Sequence, residues 1–224
     1  MLSLKLRTFL VKNLKISNQE VAQLLVQNRV LLNGNSANGS DSVSEKDEVC
    51  VDGKTLQEKK KYSYIRFYKP RGIESTLNKN IPDNLTILFK HPKKLYPIGR
   101  LDKESEGLLL LTDDGAFYKQ VTQSNNKVEK EYLVSVNKII TKEFLATMRK
   151  GVVIMGRKTK LAKVEECNSK NTFSIILTEG MNRQIRRMCY KLGYDVLRLI
   201  RIRIGNTNCK NLKEGEWEDI VMHL

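Results

Sequence analysis

The sequence predicts an α+β protein in two parts. A small α+β module covers residues 1–58, and a larger domain built on a mixed, mainly antiparallel sheet covers residues 63–224. Three observations carry this. In the larger part, alternating apolar runs outnumber helical ones and many are joined by short turns. The stretch QEKKKY, residues 57–62, is polar and lysine-rich and reads as a tether. The charge is also unevenly divided: residues 1–60 hold 9 Lys/Arg and 7 Asp/Glu, a net of +2, which leaves +13 of the total +15 on residues 61–224.

The elements of the first part follow from spacing. Leu6, Phe9, Leu10 and Leu14 recur at helical intervals. Ser17, with Glu20 three residues on, is a capping-box pattern that starts a second helix with Val21, Leu24 and Leu25 as its apolar stripe. RVLLNG and EVCVDG read as short strands running into Asn-Gly and Asp-Gly turns.

In the second part, YSYIRFYKP alternates and stops at Pro70, a strand. LLLLT is a buried strand or the end of one, and DGAFYKQVT has helical character. KVEKEYLVSVN places Tyr132, Val134 and Val136 on one strand face. TKEFLATMRKG is a helix from a capping Thr141 to Gly151. KLAKVEEC and TFSIILTEG are strands, NRQIRRMCYKLG is a helix capped by Asn182 and closed by Gly193, and DVLRLIRIRIG is a strand.

Composition excludes several classes. No run approaches the roughly 18 apolar residues of a membrane span. The N-terminus has basic residues through its apolar positions and does not read as a signal peptide. The four cysteines form no C-x-x-C pair and the histidines number two, His91 and His223, so neither a disulfide scaffold nor a zinc site is expected. A reducing cytoplasm is the expected compartment. A net charge of +15 points to a polyanion, because neutralising phosphates releases counterions.

The stretch GRLDKESEGLLLLTDDG, residues 99–115, sets five carboxylates in this basic chain. Asp102, Glu104, Glu106, Gly107 and Asp113 fall on positions 1, 3, 5, 6 and 12 of a calcium-loop pattern, but the chemistry fails: position 9 is Leu110 and position 12 is a short Asp. Glu104, Glu106 and Asp114 read as surface-turn acids, with Asp113-Asp114-Gly115 opening a helix. Leu108 to Leu111 read as core. Asp102 follows Gly-Arg on a loop that leads into this apolar run, the setting of a carboxylate held by a rigid scaffold.

Several segments resemble known families. LRTFLVKN, SNQEVAQLLVQNRVLLNG and KDEVCVDG resemble the S4 RNA-binding domain, although Asn18 and Asn28 depart from its usual pattern. GRLDKESEGLLLLTDDG resembles the signature of the small-subunit/large-subunit rRNA pseudouridine synthases. YKPRGIEST, KEYLV, EGMNRQIRRMCYKLGYDVLRLIRIRIG and LKEGEWEDI fit the same family in order, and GMNRQIRRM is most similar to its F-type, large-subunit branch.

The resemblance implies isomerisation of a uridine in ribosomal RNA, with 23S the expected target, by glycosidic cleavage, base rotation and reattachment through carbon. It makes Asp102 the essential group, Arg186 its basic partner, Tyr132 the residue that stacks on the base or passes a proton, and Leu199 a packing residue under the site. Arg186 lies about 100° round the helix from Ile185 and can reach a cleft, whereas Arg183, Arg187 and Lys191 point further outward. An arginine fork against Asp102 would hold it ionised.

Arg100 is placed to fill the space of a flipped base or hold the backbone. Seven basic residues lie between Arg183 and Arg203 against one acid; with Lys69 and Arg71 they could line an RNA groove, and Tyr190 and Tyr194 interleave with them. Arg29 is the expected RNA contact of the first module. No cofactor or metal is expected. The partner is ribosomal RNA, free or in an assembling particle, with no membrane, and the chain is expected to act as a monomer. Two rivals stand: a non-catalytic S4-type RNA-binding or ribosome-assembly protein, and a metal-dependent nuclease using Asp102, Asp113 and Asp114.

Overall fold

A computed structural model describes residues 3–123, 128–209 and 211–221. His223, and Lys127 at the head of the expected KVEKEYLVSVN strand, lie outside the described residues. The chain forms two compact units, Met1–Tyr62 and Ser63–Leu224.

In the first unit β1 (Leu4–Lys5) leads into α1 (Leu6–Leu14) and α2 (Asn18–Val26). The capping box forms: Glu20 N donates to Ser17 Oγ at 3.3 Å and Ser17 N to the Glu20 carboxylate at 2.7 Å. Four strands follow in the order β3-β2-β5-β6: β2 (Val30–Leu32), β3 (Asn35–Ser36), β5 (Val49–Val51) and β6 (Lys54–Gln57), while β4 (Ser42–Val43) pairs with β1. Asn33 and Gly34, at φ 52° and 82°, make the tight turn from β2 to β3. Leu6, Leu10, Val21, Val30 and Val49 are fully buried between helices and sheet.

The second unit is built on one mixed sheet, ordered β13-β14-β10-β15-β9-β7-β17. Its strands are β7 (Tyr64–Lys69), β8 (Tyr96–Ile98), β9 (Glu106–Thr112), β10 (Lys130–Val136), β13 (Lys163–Glu166), β14 (Thr172–Leu177), β15 (Val196–Ile204), β16 (Thr207–Asn208) and β17 (Trp217–Asp219), with β8 on β9 and β16 on β15. Among the described residues, β9 and β15 run parallel and every other pair is antiparallel. A small hairpin, β11 (Val153–Ile154) and β12 (Arg157–Lys158), lies apart from the sheet and was not legible as strands.

The four-leucine run explains itself by parity. Leu108 and Leu110 pack with Ile98, α3 (Gly115–Thr122) and Ile204, while Leu109 and Leu111 pack with Ile65, Phe67 and Phe89. Every residue of β9 is buried, as a strand covered on both faces requires. A third core joins β10, β14 and Leu199 of β15 to α4 (Lys142–Lys150) and α5 (Gln184–Lys191).

Two of the acids read as surface residues are buried. Glu106 is 4 % exposed and ion-pairs with Arg198 across the parallel strands. Asp114 is 1 % exposed; it caps α3 by accepting from Ala116 N and Phe117 N, as a helix-start residue should, but it also accepts the Tyr64 hydroxyl at 2.7 Å. Burial was missed because each carboxylate meets a partner from a distant segment, which local sequence does not reveal.

Candidate active site

Asp102 sits half-buried on the loop between β8 and β9. Main-chain anchors hold that loop at successive residues. Arg201 donates to the Arg100 carbonyl at 3.4 Å. The Ser75 hydroxyl clamps Leu101, donating to its carbonyl at 2.8 Å and accepting from its N–H at 3.0 Å. Ser105 N closes a turn on the Asp102 carbonyl at 3.0 Å, and Gly72 N donates to the Lys103 carbonyl at 2.7 Å. Arg186 donates to the Glu104 carbonyl at 2.9 Å. The Asp102 carboxylate itself has no hydrogen bond or ion pair among the described residues. A carboxylate on an immobilised loop, unused by the protein, is free to meet a substrate.

Arg186 projects from α5 with its side chain 12 % exposed. It bonds the carbonyls of Val196 and Glu104 and lies 3.9 Å from the Glu104 carboxylate. The expected fork onto Asp102 does not form: the two interact through space, while Arg186 donates through Nη1 to Val196 and through Nη2 to Glu104 and the Ser105 hydroxyl, and its Nε has no hydrogen-bond partner among the described residues. Burial lowers the Arg186 pKa from its usual range, opposed by Glu104 and, less strongly, Asp102. Glu104, read from sequence as a turn acid, is instead the bridge of this corner. Arg183 donates to it at 2.8 Å and holds its pKa below the usual carboxylate value.

The helix also begins differently from expectation. Its cap is Arg183, at φ 51°, with no side-chain cap bond, while Asn182 accepts from Arg187. Ile185, Met188 and Cys189 form the buried stripe, joined by Gln184.

Tyr132 lies half-buried on β10, opposite Arg201 of β15, and its hydroxyl is unbonded among the described residues. Leu199, on the same face opposite Val134, is 6 % exposed and packs in the core under α5. Arg100 is exposed, with a free side chain among the described residues. Arg71 is exposed and reaches the Leu197 carbonyl.

The expected basic groove is narrower than the sequence suggested. Lys69 is fully buried and donates to the carbonyls of Pro70 and Ile73 at 2.8 and 2.7 Å, so it does not line an RNA surface. Burial brings its pKa down to about 8. Arg198 and Arg203 are neutralised by Glu106 and by Glu129 and Glu131. In the first unit Arg29 is exposed but held bidentate by Asp52 at 2.5 and 2.7 Å.

Two further residues complete the corner, and one of them, Arg201, belongs to the cations of the expected groove but is buried. Arg201 is 2 % exposed and ties Leu108 and Arg100 by their carbonyls, leaving Nη2 without a hydrogen-bond partner among the described residues. Gly107, at φ 102°, lets β9 approach β15: a Cβ there would stand 2.4 Å from the Arg201 carbonyl oxygen. Strand parity carries the signal for Arg201, which shares its face with Leu199.

Asp113 and Asp114 lie beyond the far end of β9 from Asp102, about 23 Å of strand away. Each already serves a structural bond. Among the described residues no group of three His, Cys, Asp or Glu converges to hold a metal. The nuclease reading therefore loses its ligand set. Beside Arg186 opens a cavity of about 880 Å³, walled by α5, Arg71, Glu104 and the β11–β12 hairpin; Asp102 and Tyr132 lie outside its walls.

Comparison with known proteins bears on this arrangement. Residues 63–191 match the RNA pseudouridylate synthase family. The chain is similar to the dual-specificity RNA pseudouridine synthase RluF of Escherichia coli K12, 40 % identical over 221 residues that cover 98 % of this chain and 76 % of that one. It is 36 % identical to an uncharacterized RNA pseudouridine synthase of Aquifex aeolicus, covering 97 % of this chain and 93 % of the relative. Among solved structures, a crystal structure of a pseudouridylate synthase aligns with a TM-score of 0.67 at 29 % identity, covering 99 % of this chain and 96 % of that chain.

Proposed function

The chain belongs to the RNA pseudouridylate synthase family, and from that membership we propose that it isomerises a uridine of ribosomal RNA, with 23S the target, using Asp102 as the group that meets the ribose. In this reaction the bond from C1′ to base nitrogen N1 breaks, the base turns, and C1′ joins C5. The C5 hydrogen leaves as a proton and N1 gains one, so no oxidant or reductant is consumed.

The observation that carries the reading is the Asp102 carboxylate. It is unbonded among the described residues, on a loop pinned through its main chain, within the field of Arg186 and Lys69. An ionised carboxylate so placed can act on a sugar that develops positive character, as carboxylates do in glycoside cleavage.

The other roles follow from placement. Arg186 fixes the loop from behind and adds positive potential, so its part is to position Asp102 rather than to pair with it. Tyr132 presents a free phenol and ring for the turned-out base. Leu199 sets the floor beneath Arg186. Arg100 enters the space the base vacates, and Arg71, Arg183 and Arg187 hold phosphates. Residues 1–58 serve as an S4-like RNA-binding unit with Arg29 as a contact once RNA phosphate competes for it. The enzyme works as a cytoplasmic monomer on free or assembling ribosomal RNA.

Ribosomal RNA carrying [5-³H]uridine tests this without divalent metal, since isomerisation releases tritium from C5. Wild-type protein releases tritium, and Asp102→Asn binds the RNA equally but releases none. Binding without release by the wild type would instead mark a protein that only grips RNA, and metal-dependent strand breaks would mark a nuclease.

A further inference from the structure

The cavity beside Arg186 excludes Asp102 and Tyr132 from its lining, and its walls divide into two kinds. Along α5, Arg183, Arg187, Tyr190 and Lys191 share the outer face of the helix. Across from them stands the β11–β12 hairpin, with Val153 and Met155 at its end. Tyr190 is 76 % exposed, Met155 64 % and Val153 54 %, all large apolar groups turned to solvent at one opening.

The acids of this cavity are already engaged, Glu104 by Arg183 and Asp195 by Asn137. Arg71, Arg183, Arg186, Arg187 and Lys191 outnumber these two acids and leave the opening positive, with Arg187, hydrogen-bonded to Asn182, and Lys191 beside Tyr190. By contrast Tyr194, the other tyrosine of this wall, packs its ring tilted against Phe144 with centroids 4.4 Å apart and donates to the Ile139 carbonyl, so it is committed to the core.

A flat ring flanked by cations, facing flexible apolar groups, matches one ligand chemistry: an unpaired nucleobase with its phosphate. We propose that this cavity is a stacking subsite for a single-stranded nucleotide of the substrate RNA flanking the target uridine, with Tyr190 against the base and Arg187 and Lys191 on its phosphates. The inference rests on the isomerase reading for its RNA. The cavity shares Arg186 and Glu104 with the loop that carries Asp102, so a base held there fixes the neighbouring nucleotide relative to the carboxylate. Met155 and Val153 close over the other face of the base without selecting its identity, so the subsite holds any base.

The test uses the full chain, single-stranded RNA containing 2-aminopurine, and tritium release from [5-³H]uridine ribosomal RNA. Stacking quenches 2-aminopurine, so wild-type protein quenches it and Tyr190→Ala does not. Tyr190→Ala raises KM by roughly 5- to 100-fold with kcat within about twofold, and Tyr190→Phe restores both. Tyr190 is exposed, so the variants fold, and unchanged Trp217 emission verifies this.

Equal quenching and equal KM in Tyr190→Ala would overturn the subsite while leaving isomerisation standing. A fall in kcat alone, unrescued by Phe, would also overturn it. Quenching lost in Tyr190→Ala from a wild type that releases no tritium would support the subsite and refute the isomerase reading, which separates the two claims.

Discussion

Replacing Gly107 with alanine should loosen the parallel contact on which the Asp102 loop is mounted. The added Cβ would sit 2.4 Å from the Arg201 carbonyl oxygen, 2.9 Å from the Arg201 nitrogen and 3.0 Å from Ile200 Cγ2. Neither backbone atom can rotate away as a side chain would, so β9 and β15 must separate. At φ 102° an L-residue is also strained, by about 1–3 kcal/mol. Overpacking a rigid neighbour adds about 1–3 kcal/mol. The sum, about 2–6 kcal/mol, is a large share of the roughly 5–15 kcal/mol that holds an ordinary domain folded.

Urea unfolding measures this cleanly, because Trp217 is the chain's one tryptophan and lies on β17 of the second unit, packed against Phe89 and His91. With a urea slope of about 2 kcal/mol per molar, the midpoint falls by roughly 1–3 M. Tritium release should fall with it, since separation of the strands pulls Arg201 from Arg100 and Leu108. Gly180→Ala is the control: its Cβ meets nothing within 4 Å, and its midpoint stays put. A Gly107→Ala protein with wild-type midpoint and turnover would refute the close-approach argument.

Other outcomes follow from the same geometry. Lys69 is buried, and its pKa is lowered from 10.5 to about 8. Between those values the unfolded chain binds more protons than the folded one, so stability is lowest below about pH 8 and rises towards pH 10.5. In Lys69→Met that part of the rise should vanish, seen as a flatter difference in Trp217 midpoints over the window; parallel curves for the two proteins would contradict it. Asp114→Ala removes the α3 cap and orphans the Tyr64 hydroxyl, and should cost about 2–3 kcal/mol by the same fluorescence assay, with Asp102 chemistry retained at low temperature.

Legibility in the sequence divided along a physical line. What depends on near neighbours could be read: the Ser17–Glu20 box, the Thr141 cap, the alternation of Tyr132, Val134 and Val136, and the mixed sheet they imply. What depends on distant partners could not. Lys69 reads by its charge as a surface cation, yet it sits two residues after Phe67 and four after Ile65, on the buried parity of β7. That signal was present and outweighed by the residue's charge. Arg201 has the same history on β15. Glu104 looked like any turn acid, because nothing local says that α5, about eighty residues later, will bring Arg183 to it. The helix cap is Arg183 rather than Asn182, whose side-chain oxygen accepts from Arg187 instead of capping.

The anchoring of the Asp102 loop makes its vulnerability lopsided. The groups gripped there are chiefly peptide oxygens, which every amino acid possesses, so positions 100, 103 and 104 can exchange their side chains and still be gripped. The side chains that grip this loop, Ser75 at Leu101, Arg186 at Glu104 and Arg201 at Arg100, enjoy no such freedom, although the two arginines stand about eighty residues or more further along the polypeptide. Damage to presentation of the reactive acid is therefore to be sought far from its own neighbourhood in the gene.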